Sequence, residues 1–167
     1  MSYISTSAPP VTSSLRVTLQ DVMDNLKLVC SYLGMKREEN PAGYARIAAL
    51  DSDAALIALL MEDAALLISA RFPGPLLRWR YSRNALEFTF ESTPDTEALQ
   101  PALTRVICLE VLRRWLRISG SDYADSISES AAEATDSLKI YFPGTSDSAG
   151  AGGHPLRPAS PRRVPPI

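Results

Sequence analysis

At 167 residues the chain fits one domain, and the stretch 15–142 is long enough to bury a core without disulfides or metals. Forty-six per cent of the residues are apolar, and 17 basic against 19 acidic residues leave a formal charge of −2. That balance excludes a chain that coats nucleic acid by bulk charge and one that is acidic throughout, so the placing of the charges carries the information.

Residues 1–14 are rich in Ser, Thr and Pro, and Pro9-Pro10 rules out a helix there. They are expected to form a flexible N-terminal arm. The arm has neither a basic start nor an apolar core, so it does not read as a signal peptide. A first helix is expected from Thr18, with Asp21 in its opening turn, where a carboxylate favours the exposed amides. Val22, Leu26, Val29 and Leu33 recur at helical spacing, and Gly34 is a natural stop. A connection holding Pro41 and Gly43 follows, with a short helical turn possible at 44–50.

The second helix is expected to be capped by Asp51 or Ser52 and to end at Pro73-Gly74-Pro75. Leu56, Leu60, Ala64, Leu67 and Ile68 give it an apolar face. Ile57, Leu59, Met61 and Leu66 are apolar as well, so the helix should be covered on several sides, as a central helix or as part of an interface. Glu62-Asp63 at the middle of the run 54–70 would be costly at bilayer depth, which excludes a membrane span.

The period then changes from 3.6 to 2. Leu77, Trp79 and Tyr81 alternate with Arg78 and Arg80; after Ser82-Arg83-Asn84, Leu86, Phe88 and Phe90 alternate with Glu87, Thr89 and Glu91. This predicts an amphipathic β-hairpin at about 76–91. Thr93-Pro94-Asp95 opens a third helix whose stripe runs from Leu103 to Leu116 and stops at Ser119-Gly120. A fourth, at about 121–140, has a narrow seam of Tyr123, Ala124, Ile127, Ala131, Ala134 and Leu138. Five acids and no base lie in residues 121–136. From Pro143 onward the chain is Gly, Ser, Ala and Pro, with six of its 13 prolines, and a disordered or extended tail is expected at 143–167.

No residue set for catalysis can be written. The single histidine, His154, lies in the tail, where a general base could not be held against its target. Cys30 and Cys108 are far apart in apolar helical patterns and read as buried thiols of a reducing compartment; with one histidine they make no zinc site. No cofactor is implied, and Gly150, Gly152 and Gly153 follow no strand and open no helix, so they are not a phosphate loop.

Charge clusters are the remaining signal. Arg71, Arg78, Arg80 and Arg83 gather around the hairpin, and Arg105, Arg113, Arg114 and Arg117 line the third helix. Opposite in sign stands the fourth helix, with Asp122, Asp125, Glu129 and Glu133. Separated faces of this kind can join copies head to tail, which closes into a ring if the rotation allows; they can equally pair within one chain. Nucleic acid is the rival partner, with Arg157, Arg162 and Arg163 of the tail adding to it.

The order helix, connection, helix, hairpin, helix, helix resembles the head–tail connector (head-completion or adaptor) family of tailed bacteriophages. Val17-Thr18-Leu19-Gln20-Asp21-Val22 with Leu26 looks like that family's opening helix. Asp53, Leu56, Leu60 and Ala64 look like its second. Pro101-Ala102-Leu103 leading to Val106 and Trp115 is similar to its third, and Ser137-Leu138-Lys139-Ile140-Tyr141 to its closing segment. The resemblance implies a non-enzymatic virion protein, made in the host cytoplasm, whose copies form a ring between portal and tail.

The expectation is therefore a mainly α fold: a small bundle of about four helices with one β-hairpin, flexible ends, and no catalytic, metal or cofactor site. Its contact residues would be Arg78, Arg80, Arg83, Asp122, Asp125, Glu129, Glu133, Arg162 and Arg163. Its partners would be itself and the portal, tail or neck proteins, with no membrane. The alternative is a small accessory protein that binds nucleic acid through its arginines.

Overall fold

The computed structural model describes residues 12–35, 47–91 and 95–142. Within them the chain runs β1 (Thr12–Thr18), α1 (Leu19–Met35), α2 (Ala54–Arg71), β2 (Leu76–Ser82), β3 (Ala85–Glu91), α3 (Thr96–Ile118) and α4 (Ala124–Ser137). Short 3-10 turns at Asp51–Asp53 and Leu138–Tyr141 precede α2 and follow α4. The architecture is mainly helical with a small antiparallel sheet, as the periodicities predict.

One strand was not expected. Thr12–Ser14, assigned above to the flexible arm, belong to β1, which pairs antiparallel with β3. The sheet order is β1-β3-β2, so the hairpin's second strand is central. Leu15 and Val17 alternate with polar residues and are buried, but two apolar positions beside a Ser/Thr/Pro run give a weak period-2 signal. The strand exists because β3, some seventy residues on, supplies its hydrogen bonds.

Local chemistry explains most element ends. At the β1–α1 junction Thr18 Oγ1 accepts from the Asp21 amide at 3.1 Å, while the Asp21 carboxylate accepts from the Thr18 amide at 3.3 Å, a reciprocal capping box. The expected cap of α2 is different. Neither Asp51 nor Ser52 caps it; Asp53 accepts from the Leu50 amide at 2.8 Å, and Asp51 is engaged by Lys27 at 2.6 Å. The intervening 3-10 turn shifts the helix start by one or two residues, to a cap position at Asp53, a displacement that composition does not encode. Asp95 caps α3 by accepting from the Ala98 amide at 3.0 Å, and Gly120, at φ +67°, lets the chain turn after it.

The hairpin turns on Arg83 and Asn84, both with positive φ (48° and 56°), the geometry of a two-residue type I′ loop. A β-bulge between Leu76 and Arg78 seats Leu76 inside, opposite Phe90.

Helix α3 is the axis of the core. Leu99, Leu103, Val106, Ile107, Val111, Leu112 and Leu116 are buried, and α1, α2, α4 and β1 pack around it. Trp115 donates its indole N–H to the Ile47 carbonyl at 2.8 Å, fixing the chain where it re-enters the core before α2. Of the helical turn considered at 44–50, Ile47 is helical and Ala48–Leu50 are not, while 44–46 lie outside the described residues. The residues below 12, the connection 36–46 and the whole tail 143–167, with Arg162 and Arg163, lie outside the described residues.

Candidate protein-binding faces

The sheet has one face on the helices and one turned outward, because strand side chains alternate. Leu15, Val17, Leu86, Phe88 and Phe90 point inward and are buried; Trp79 and Tyr81 pack against the same core. The outward row contains Ser14 and Arg16 of β1, Glu87 and Thr89 of β3, and Arg78 and Arg80 of β2. Register places Arg16 and Arg80 on either side of Glu87, and Ser14 and Arg78 on either side of Thr89. These side chains line a shallow depression of about 260 Å³.

Two of the predicted arginines therefore meet on one surface, and Arg83 stands at its end, in the turn. They are joined by Arg16, which could not be placed there from sequence because its strand was unseen. Arg80 holds the Glu87 carboxylate at 2.6 Å, and Ser82 adds a weak bond at 3.4 Å. The Arg80 hydrogen bond, with the charges of Arg80 and Arg16, keeps the Glu87 carboxyl below the usual glutamate range. Arg78 has only the neutral Thr89 hydroxyl, at 3.5 Å. Arg16 reaches the Arg83 carbonyl, also at 3.5 Å. Four arginines against Glu87 and Glu91 leave this face positive.

Helix α4 carries the opposite sign. Ala124, Ala131, Ala134 and Thr135 are buried against α3, the narrow seam the sequence predicts. Asp125, Glu129 and Glu133 are exposed and four residues apart, so they share one outward face. None of the three forms an ion pair with another described residue. Like charges at this spacing destabilise a helix by about 0.2–0.5 kcal/mol per pair. The acids thus oppose the fold slightly, and Asp122, exposed ahead of the helix, has the same sign.

Other charges are spent within the chain. Arg71 binds Asp136 at 2.7 Å across the α2–α4 gap, and that bond, with Lys139 at 3.4 Å, lowers the Asp136 carboxyl below its ordinary range. Arg113 binds Glu110 at 2.6 Å, and Arg114 binds Asp63 at 2.7 Å. Glu110 is only 4% exposed and lies against both guanidiniums, 2.6 Å from Arg113 and 3.8 Å from Arg114. Internal pairing thus accounts for Arg71, Arg113, Arg114 and Arg80, but among the described residues not for Arg16, Arg78 and Arg83 or the three α4 acids.

A third feature is apolar. Helix α2 is hydrophobic around its whole circumference, yet Leu59 and Leu66 are 56% and 55% exposed and Leu56 is 36% exposed. Beside them an open groove of about 430 Å³ runs between α2 and α4, lined by Leu67, Ala70, Arg71, Ala132, Thr135 and Asp136 over Glu110. A helix apolar on every side is expected to be covered on every side. This one is not.

Both cysteines are buried, and burial pushes each thiol up to about 11, which leaves neither as a thiolate nucleophile at neutral pH. Among the described residues no group of His, Cys, Asp and Glu is placed to hold a metal ion, and no helix is long and apolar enough to cross a membrane. No family model, curated protein or solved structure matches the chain.

Proposed function

We propose that this chain is a structural protein that works by assembling with other proteins, as a head–tail connector whose copies form a ring between portal and tail in a tailed-phage virion. The observation that carries the assembly is the uncovered face of α2. Burying a leucine is worth about 1.5–3 kcal/mol, and Leu56, Leu59 and Leu66 have realised roughly half of that. Covering the face would return about 2–4 kcal/mol, too little for a tight dimer in free solution but useful where a scaffold already holds the copies together. The connector assignment itself rests on the resemblance in element order and in the hydrophobic patterns of Val17–Leu26, Asp53–Ala64, Pro101–Trp115 and Ser137–Tyr141.

The test is co-sedimentation of the purified chain with assembled portal rings, using Leu59→Glu/Leu66→Glu as the comparison. Both residues are more than half exposed, so the variant should fold. Recovery of the parent chain with the rings and loss of the variant would support the proposal; equal recovery of neither would sink it.

A nucleic-acid role is the second reading, favoured by the gathering of Arg16, Arg78, Arg80 and Arg83 on one face. Trp79 and Tyr81 pack toward the core on the opposite side of the sheet, so they provide no stacking platform. Tight DNA binding that falls steeply with salt, without recovery on portal rings, would favour this reading instead.

A further inference from the structure

We infer that the positive outer face of the sheet receives helix α4 of a second copy. The inference deepens the proposed self-assembly by naming the two surfaces that meet. Each carries charges with no ion pair among the described residues (Arg16, Arg78 and Arg83 on the sheet, Asp125, Glu129 and Glu133 on α4), and they are opposite in sign.

Their spacings agree. Residues four apart on a helix repeat about every 6 Å, which sets the interval between Asp125, Glu129 and Glu133. Residues two apart on a strand repeat about every 6.7 Å, which sets the interval between Arg78 and Arg80. Arg16 stands two strands from Arg80, at about 9.6 Å, so the arginines form a patch wide enough to flank a helix. The depression of about 260 Å³ between them is lined also by Ser14, Leu15, Trp79, Glu87 and Thr89. Guanidinium forks suit carboxylates, and Arg78, whose only bond is a long one to a neutral hydroxyl, is the fork most open to a new partner.

The two patches lie on different elements, so the contact is heterologous. Each copy offers both halves, and successive copies add in one rotational sense until the assembly closes or runs on as a filament. Asp125, Glu129 and Glu133 thereby gain the counter-charges that they lack among the described residues.

Charge reversal in trans tests this on the full chain. Arg78→Glu/Arg83→Glu inverts the sheet patch and leaves the Arg80–Glu87 pair in place. Glu129→Arg/Glu133→Arg inverts the helix. Sedimentation equilibrium at low salt should show self-association of the parent chain that weakens as salt is raised. Each variant alone should associate at least tenfold more weakly, and their equimolar mixture should recover the parent's association. Melting curves confirm that both variants are folded. A parent chain that stays monomeric at millimolar concentration, or a mixture that associates no better than its components, overturns the contact. Binding to DNA that is lost only in the arginine variant would do so too. Restored association in the mixture without recovery on portal rings keeps the contact and removes the connector. Recovery on portal rings that neither variant alters keeps the connector and removes the contact.

Discussion

The side-chain amide of Gln100 on α3 bonds both backbone groups of Arg16 on β1, donating to its carbonyl at 2.7 Å and accepting from its N–H at 3.1 Å. In an antiparallel pair alternate residues turn their backbone groups away from the partner strand, and Arg16 is one of these. Gln100 therefore acts as a one-residue extra strand on the sheet's edge. It fixes β1 to the helical core and blocks one step of edge-to-edge pairing.

Gln100→Ala removes both bonds. Each backbone bond of this kind contributes about 0.5–1.5 kcal/mol net, so the variant should lose about 1–3 kcal/mol in denaturant unfolding. The Arg16 amide should exchange with solvent much faster than in the parent, while amides within β3 stay protected. Unchanged exchange at Arg16 would show that the strand is held by β3 alone.

The end of the described chain is held by aromatic packing. Phe142 lies 5.3 Å from Phe72 and 5.4 Å from Phe90, ring centre to ring centre, joining the segment after α4 to the end of α2 and to the central strand. Phe142→Ala should cost about 3 kcal/mol or more, with a lower melting temperature and a single transition. Phe142→Leu, which keeps most of the volume, should recover more than half of that loss. A small loss in the alanine variant would mean that the segment frays without consequence.

The outer sheet face has a pH signature. The Glu87 carboxyl is held below its ordinary range in the folded chain, chiefly by Arg80. A depressed folded value stabilises the fold above the ordinary glutamate range, and the contribution is lost as pH falls through the lowered value. In Arg80→Met the Glu87 titration, followed by carboxyl NMR, should move upward toward an ordinary glutamate, with the Ser82 hydrogen bond and the Arg16 charge retaining part of the shift. A titration that does not move would assign the depression to Ser82 and Arg16 instead.

Much of the fold was legible from spacing. The 3.6-residue stripes of α1, α3 and α4, the proline stop after α2 and the period-2 hairpin are local patterns, and burial follows them. What was not legible depends on contacts distant in sequence. Strand β1 has only Leu15 and Val17 to announce it and is defined by β3. The start of α2 is displaced because Asp51 is taken by Lys27 and Asp53 by the Leu50 amide. Among the charges, sequence grouped the arginines by proximity along the chain, whereas the structure divides them by partner. Arg71, Arg113 and Arg114 are neutralised internally, while Arg16 joins Arg78 and Arg80 from the far end of the chain. Leu59 and Leu66 showed as an excess of apolar residues on α2, but which side of the helix was left uncovered required the packing.

The central claim is that the exposed charges of α4 serve a partner rather than the fold, and Glu129→Lys tests it in one variant. Lysine between Asp125 and Glu133 replaces two like-charge contacts with two opposite-charge ones, each change worth about 0.5–1 kcal/mol. Melting and sedimentation of the same sample should show a chain that is more stable than the parent by about 1–2 kcal/mol and that self-associates more weakly. A variant that gains stability and associates as well as the parent would contradict the claim.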